Sequence, residues 1–188
     1  MKQAIRLILI LQLIIPANIN AQSDFKKGLV ITFSNEKLEG SIKESLKSKG
    51  TIVFLSVDGK KSTFSAATIK NFSIDSTNYA AFSNDFYKEI TGGVKAILYK
   101  RETDNSNIPI YNGAEIVGYT KTMEGKKGDY YVWLNTEKKL SLITEELFEV
   151  FFTPLFSNDT ITQTAIKDKT LGYAQIKKLI EKYNTLAL

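Results

Sequence analysis

Histidine and cysteine are both absent from this 188-residue chain, and their absence excludes several kinds of functional site. Without an imidazole there is no histidine-based catalytic triad and no histidine ligand for haem. Without a thiol there is no cysteine nucleophile, and the usual histidine and cysteine ligands of zinc are missing as well. Any catalysis must therefore use carboxylates, lysine, tyrosine, serine or a cation bound through oxygen atoms.

The lack of cysteine also limits how the chain is stabilised and how it is attached to a membrane. No disulfide can form, so stability must come from a hydrophobic core, which a chain of this length can bury. A bacterial lipoprotein carries its lipid on a cysteine that directly follows the signal peptide. We therefore predict that the protein has no lipid anchor.

The first 21 residues have the three parts of a secretory signal peptide. Lys2 and Arg6 give a basic start, and residues 7–15 form a mainly apolar core. Ala21 supplies the small residue at which such peptides are cleaved. A membrane-spanning helix needs roughly 20 apolar residues, about twice this run. We therefore predict cleavage near Ala21, no transmembrane helix in the mature chain, and a location in the periplasm or outside the cell.

Basic residues exceed acidic residues only slightly. The formal net charge is +5 for the whole chain, and it falls to +3 once Lys2 and Arg6 leave with the signal peptide. Nucleic-acid-binding domains usually carry a clustered basic face, so no nucleic-acid partner is predicted. No metal or cofactor is predicted either, because the polar stretch 104–107 lacks the glycine and the terminal glutamate of a calcium-binding loop.

Short β-branched and aromatic segments alternate with turn residues through the first half of the mature chain, which predicts antiparallel strands. The dipeptide Asp58-Gly59 favours a tight two-residue hairpin turn, and a short turn at residues 66–70 precedes a fifth strand. Two hairpins and one closing strand resemble a small SH3-like barrel. The predicted strands of this half are residues 29–33, 37–43, 51–57, 60–65 and 71–74.

The second half contains further strands and then the helical patterns. Thr144 can cap a helix that begins with Glu145 and Glu146, both suited to the positive end of the helix dipole. An apolar stripe predicts a last helix over residues 171–184, whereas residues 102–113 are predicted to form a polar loop. The predicted strands are residues 79–82, 86–90, 93–100, 114–120, 129–134 and 140–143.

These elements predict an α+β fold that is antiparallel and β-rich, with N-terminal SH3-like hairpins, further strands and two C-terminal helices. The mature residues 22–188 are expected to form a single domain, because their number is that of one ordinary domain. A sub-boundary near residues 76–79 is expected between the predicted barrel and the later strands.

A set of glycines and apolar positions is spread over most of the mature chain. Its members are Lys27-Gly28, Val30, the run Leu38-Glu39-Gly40-Ser41-Ile42, Phe64, Ile69, Phe72, residues 93–99, residues 180–184 and the junction Ala21-Gln22. Together they resemble a group of exported β-rich proteins of Bacteroidetes-group bacteria. That group carries no established activity, so the resemblance implies an exported location and a shared fold and gives no mechanism.

An aromatic strand in the second half offers a candidate binding surface. Alternation along a strand places Tyr131 and Trp133 on one face and Val132 with Leu134 on the other. If the second face is core, Tyr131 and Trp133 form an exposed platform on which a sugar ring can stack. The alternative is a strand buried on both faces, where aromatic residues supply packing area and β propensity.

Lysine pairs stand at three predicted turns, Lys60-Lys61, Lys126-Lys127 and Lys138-Lys139. Gathered at one end of the molecule, they would form a basic rim for anionic lipid or polysaccharide. Scattered pairs would instead increase solubility and protect sheet edges, which is the interpretation we favour.

The sequence therefore predicts an exported, non-enzymatic binding or structural module of the bacterial cell envelope, whose partner is another envelope protein or a glycan. This hypothesis depends on the signal peptide, on the missing histidine and cysteine, and on the lack of any complete catalytic motif. Two alternatives stay open. One is an enzyme that acts on envelope glycans through a pair of carboxylates. The other binds anionic lipid or polysaccharide through the lysine-rich turns.

Overall fold

The computed structural model describes residues 24–105, 107–121 and 124–186, so the predicted signal peptide lies outside the described residues. Strands dominate and most helices follow them, which confirms the predicted antiparallel, β-rich α+β fold. The strands are β1 (Lys26–Thr32), β2 (Lys37–Ser45), β3 (Thr51–Ser56), β4 (Lys61–Ser65), β5 (Ile69–Ile74), β6 (Thr77–Phe82), β7 (Asp85–Gly92), β8 (Ala96–Arg101), β9 (Asn107–Asn112), β10 (Glu115–Lys121), β11 (Tyr130–Leu134) and β12 (Lys139–Ile143). The helices are α1 (Leu46–Lys49), α2 (Glu145–Leu155), α3 (Thr160–Lys167) and α4 (Ile176–Thr185), and a 3₁₀ turn at Tyr173–Gln175 precedes α4. Within the described ranges, no helix is both long enough and apolar enough to cross a membrane.

Ten strands form one antiparallel sheet in the order β12-β11-β8-β7-β6-β5-β1-β2-β3-β4. Strands β1 to β4 follow one another as a meander, and β5 returns to pair with β1. This is the arrangement of two hairpins and a closing strand that the sequence predicts for the first half. The sheet continues across the predicted sub-boundary, because β5 pairs with β6 through Phe72 and Tyr79.

A pair of glycines allows the first strands to lie close to their core. Gly28 is directly opposite Gly40 across β1 and β2. A Cβ atom at Gly40 would lie 2.3 Å from the carbonyl oxygen of Leu55 and 2.7 Å from the ring of Phe54. A larger residue at this position would therefore push β2 away from β3 and from the aromatic core.

Strand alternation divides the side chains of the large sheet between two faces, which we name the core face and the outer face. The core face carries two hydrophobic clusters. One is built around Phe72 by the first seven strands, and the other, around Phe152, packs β8, β11 and β12 against the helices. The outer face lies opposite both clusters and includes Leu29, Ser73 and Tyr99.

Three helices follow the last strand, one more than the sequence predicts. As predicted, Thr144 caps α2, and its hydroxyl accepts a hydrogen bond from the backbone N–H of Leu147 at 3.2 Å. The unpredicted helix α3 begins after Asp159, whose carboxylate accepts a hydrogen bond from the backbone N–H of Thr162 at 3.1 Å. This helix has about two turns, too few to show a clear apolar periodicity in the sequence.

Asp159 also ties α3 to α4. Its carboxylate accepts hydrogen bonds from the Lys182 ammonium and from the Thr162 hydroxyl, both at 2.7 Å. The hydrogen bonds with Lys182 and Thr162 lower the pKa of Asp159 from 3.8 to about 2. Because the folded pKa lies below the unfolded one, the ionised carboxylate stabilises the fold above about pH 4, and this contribution is lost as the pH falls towards about 2.

We expect Asp159→Asn to lower the melting temperature at neutral pH, since the substitution removes the ionised group that binds Lys182. The variant should also lose less stability than the parent between about pH 5 and pH 2. Thermal unfolding followed by circular dichroism across this range tests both expectations. Parallel pH profiles for the two proteins would show that Asp159 does not contribute as described.

One amide side chain holds α4 to the sheet. The Oδ1 atom of Asn184 accepts hydrogen bonds from the backbone N–H groups of Lys95 and Ala96, both at 2.9 Å. Its Nδ2 atom donates to the carbonyl oxygens of Ala96 at 2.9 Å and Ile180 at 3.0 Å. Gly93 makes room for this contact, because a Cβ atom there would lie 2.4 Å from the Asn184 side chain. Asn184 thus joins the end of α4 to the start of β8.

Two connections differ from their predictions. The β3–β4 turn has four residues rather than two, because β3 ends at Ser56 and β4 begins at Lys61. Val57 is consequently outside the strand and 92% exposed. The predicted loop at residues 102–113 contains β9, which pairs with β10 in a separate two-stranded hairpin. The polar residues at the start of this stretch conceal the strand, whose two described side chains, Ile110 and Asn112, are both exposed.

Candidate functional site: a groove on the outer face of the sheet

A row of six side chains crosses the outer face, one from each of six neighbouring strands. In order from β8 to β2, the row consists of Tyr99, Glu89, Asn78, Ser73, Leu29 and Glu39. The strand registers pair these neighbours directly, except that Asn78 and Glu89 are joined by a side-chain hydrogen bond of 3.2 Å. Neighbouring strands are about 4.8 Å apart, so the row spans about 24 Å.

Two adjoining cavities follow this row. The larger, of about 670 Å³, lies over β5, β1, β2 and β3. The smaller, of about 270 Å³, extends from β1 to β8. Leu29 and Ser73 line both cavities, so the two meet at the centre of the row. We name the combined site the groove.

Small polar side chains form much of the groove floor. Ser41 and Ser73 contribute hydroxyl groups, and Asn71 and Asn78 contribute amides. Both kinds of group can donate and accept hydrogen bonds. All four residues belong to strands, so the sheet fixes their spacing, and a ligand would meet a largely preformed surface.

Charged groups in the groove are mostly acidic. Glu39 and Asp75 line the larger cavity together with Lys27, and Glu89 lines the smaller one. Among the described residues that line the groove, three carboxylates therefore accompany one ammonium group. Glu39, Asp75 and Lys27 are exposed, so their charges act on a ligand through solvent.

The groove reaches a group of aromatic rings at its β8 end. Tyr99 lines the groove, and its ring centroid lies 5.7 Å from that of Phe82, which stacks on Trp133 at 5.5 Å. Burial, with a further contribution from the charge of Glu89, raises the pKa of Tyr99 to about 12. Its phenol therefore stays neutral at physiological pH. Phe82 and Trp133 are half-buried and extend the apolar surface beyond the groove.

The structure places Tyr131 and Trp133 on the same face, as strand alternation predicts, but Tyr131 is buried, as the alternative of a strand buried on both faces requires. Val132 and Leu134 lie in the helix-covered core, and the two aromatic residues lie on the outer face. Tyr131 is completely buried, because its hydroxyl reaches into the fold and donates to the carbonyl oxygen of Glu124 at 2.5 Å. Trp133 is half-buried, and binding of a sugar by its ring stays a prediction.

A buried arginine that no sequence motif marks holds the aromatic end of the outer face. Arg101 and Asp85 are both fully buried and form an ion pair with an N–O distance of 2.6 Å. The guanidinium also donates to the Asp104 carboxylate at 3.0 Å and to the Tyr131 hydroxyl at 3.4 Å. Burial alone would lower the pKa of Arg101, but the hydrogen bond with Tyr131 and the charge of Asp85 raise it. The arginine therefore stays charged inside the protein.

Arg101 also holds both ends of the segment that carries the β9–β10 hairpin. It donates to the carbonyl oxygen of Thr103 at 3.0 Å before the hairpin, and to that of Glu124 at 3.3 Å after it. The sequence offers one signal for this role. Arg101 follows Tyr99 by two residues, so strand alternation places its charge on the same face as the Tyr99 ring.

The three lysine pairs do not meet at one end of the sheet. Lys60-Lys61 belong to the β3–β4 hairpin at one edge, and Lys138-Lys139 belong to the β11–β12 hairpin at the opposite edge. Lys126-Lys127 precede the start of β11, whereas Lys138-Lys139 follow its end. This placement favours separate solvated charges over a single basic rim.

The acidic residues give no support for a metal centre or a glycosidase pair. No three acidic side chains converge on a possible cation site in the part of the chain that the structure describes. The carboxyl groups with a displaced pKa all have it lowered, chiefly by side-chain hydrogen bonds; they are Asp24, Asp58, Asp159 and Asp168. A catalytic general acid needs the opposite displacement.

Comparison with known proteins adds no residue to this site. No family model, no curated protein and no solved structure matches the chain. A function for the protein must therefore be inferred from the groove and its surroundings. The resemblance to exported β-rich proteins stays an expectation.

Proposed function

We propose that the protein is a non-enzymatic binding module of the bacterial cell envelope and that its ligand lies in the groove. The observation that carries this proposal is the pair of adjoining cavities on a continuous strand floor. The larger cavity, at about 670 Å³, has a volume within the range typical of ligand sites. Its lining combines apolar surface with a few fixed polar groups, as such sites usually do.

Binding explains the groove better than catalysis does. A glycosidase needs a pair of carboxyl groups of which one has a raised pKa. The described carboxyl groups with a shifted pKa all have it lowered, and none of them lines the groove. Binding of anionic lipid or polysaccharide is disfavoured because carboxylates predominate in the groove and the lysine pairs lie apart. The envelope location rests on the predicted signal peptide.

A variant that fills the groove tests this proposal. Ser73 lines both cavities, and Ser73→Arg should block both with one side chain. Thr63→Arg is the matched control, because Thr63 is an exposed residue of the edge strand β4 outside the groove. The thermal unfolding of the purified protein is then followed with separate glycan, lipid and protein fractions of bacterial envelopes.

We expect one fraction to raise the melting temperature of the parent and of Thr63→Arg but not that of Ser73→Arg. A ligand at a hundredfold excess over its Kd stabilises the native state by about 2.7 kcal/mol, a shift that is easily measured. A shift that persists in Ser73→Arg would put the binding site elsewhere. The absence of any shift in the parent would contradict a binding function.

A further inference from the structure

We infer that the groove takes a neutral oligosaccharide chain, an inference that rests on the proposed binding function. The observations behind it are the charge of the groove, the kind of hydrogen-bonding group that it presents, and its length. Each of these observations favours a neutral glycan over another class of envelope ligand.

The charge of the groove disfavours anionic ligands. Glu39, Asp75 and Glu89 outnumber Lys27, so the lining has an excess of two negative charges. An acidic polysaccharide, a phosphate group or an anionic lipid headgroup would be repelled on entering. An uncharged ligand meets no such penalty, and its hydroxyl groups can donate hydrogen bonds to the carboxylates.

The hydrogen-bonding groups of the groove floor disfavour an extended peptide. Such a peptide binds a sheet by pairing its backbone with a free strand edge. The larger cavity lies over β5, β1 and β2, and each of these strands is already paired on both sides. Recognition in the groove must therefore use side chains, and those available include the hydroxyl and amide groups of Ser41, Ser73, Asn71 and Asn78. Ligands that carry many hydroxyl groups suit this surface.

The groove also alternates polar and apolar surface along its length. Leu29 and Leu55 lie beside the serine hydroxyls, and Tyr99 marks the far end. Sugar rings have polar edges and apolar faces, so a chain of them can use both kinds of surface. With about 24 Å from Glu39 to Tyr99, the row accommodates a chain of several sugar units rather than a single one.

The test is isothermal titration of the purified protein with probes of similar length. The neutral probes are cellohexaose, xylohexaose and mannohexaose, the anionic probe is a hexamer of galacturonic acid, and the peptide probe is an extended hexapeptide of lysine, serine and threonine. Each is titrated into the parent, Ser73→Arg and Thr63→Arg at low and at high NaCl concentration.

We expect at least one neutral hexasaccharide to bind the parent, with Ser73→Arg weakening it by about tenfold or more and Thr63→Arg leaving it unchanged. Its Kd should vary by less than about twofold with salt, because no ion pair is formed. If galacturonate or the peptide binds and Ser73→Arg abolishes that binding, the inference of a neutral glycan is overturned, while the proposed binding function of the groove still stands. If no probe binds, the inference fails, and the envelope fractions decide separately whether the groove binds anything.

Discussion

Arg101→Met is expected to lower the free energy of unfolding by about 3–5 kcal/mol, the usual cost of breaking a buried ion pair by removing one partner. Arg101 and Asp85 have no exposed side-chain surface, so the carboxylate left behind cannot be solvated by water. The loss should lie at the upper end of this range, since Arg101 also donates to backbone carbonyl groups at both ends of the β9–β10 segment. Urea unfolding followed by tryptophan fluorescence reports it, because Trp133 is the single tryptophan.

Two further variants separate the buried pair from a general loss of charge. Lys100→Met removes a positive charge one residue away, where the ammonium group lies over the ring of Tyr130, and should cost less than about 1 kcal/mol. The double variant Asp85→Asn/Arg101→Met should recover part of the loss, with a coupling energy of about 0.5–3 kcal/mol. If Arg101→Met costs no more than Lys100→Met, the buried network does not hold this end of the sheet.

Asn184→Ala is expected to cost about 2–6 kcal/mol, because two backbone N–H groups lose their acceptor and each such loss costs about 1–3 kcal/mol. The affected groups belong to Lys95 and Ala96 at the start of β8. The variant should also release the end of α4, which covers part of the second core. Hydrogen exchange measured by NMR should show the largest loss of protection at these two amides.

Asn184→Asp is the matched control for this change. It keeps an acceptor for Lys95 and Ala96 but removes the donor that binds the carbonyl oxygens of Ala96 and Ile180. A smaller loss of stability than in Asn184→Ala is therefore expected, with the two amides still protected. Equal losses in both variants would mean that the shape of the side chain matters more than its acceptor atom.

The hairpins of the first half could be predicted from sequence because their determinants are local. β-Branched runs, turn residues and alternation predict β1 to β5, and the N-cap residue Thr144 predicts the start of α2. The missed elements lack such signals. β9 follows a polar stretch and contains Pro109, which disfavours a strand prediction, and α3 is too short for its apolar residues to recur.

The groove and the buried arginine could not be predicted, because both depend on which strands become neighbours. Leu29, Ser73 and Glu89 are far apart in the chain and meet only through the registers of β1, β5, β6 and β7. Tyr131 illustrates the same limit. Its face follows from alternation, but its burial follows from the segment around Glu124 that folds over it.

The order of the strands also governs how quickly the protein can fold. Seven of the nine neighbouring pairs in the large sheet join strands that are consecutive in the chain, so most contacts close short loops. The exceptions are β1 with β5 and β8 with β11. The chain between β8 and β11 holds the β9–β10 hairpin, and a hairpin that forms early shortens the effective distance to be closed. The meander of β2 to β4 shortens the closure of β1 on β5 in the same way. Because β1 and β5 both form the groove floor, we expect the groove to be complete only after this long-range pair has formed.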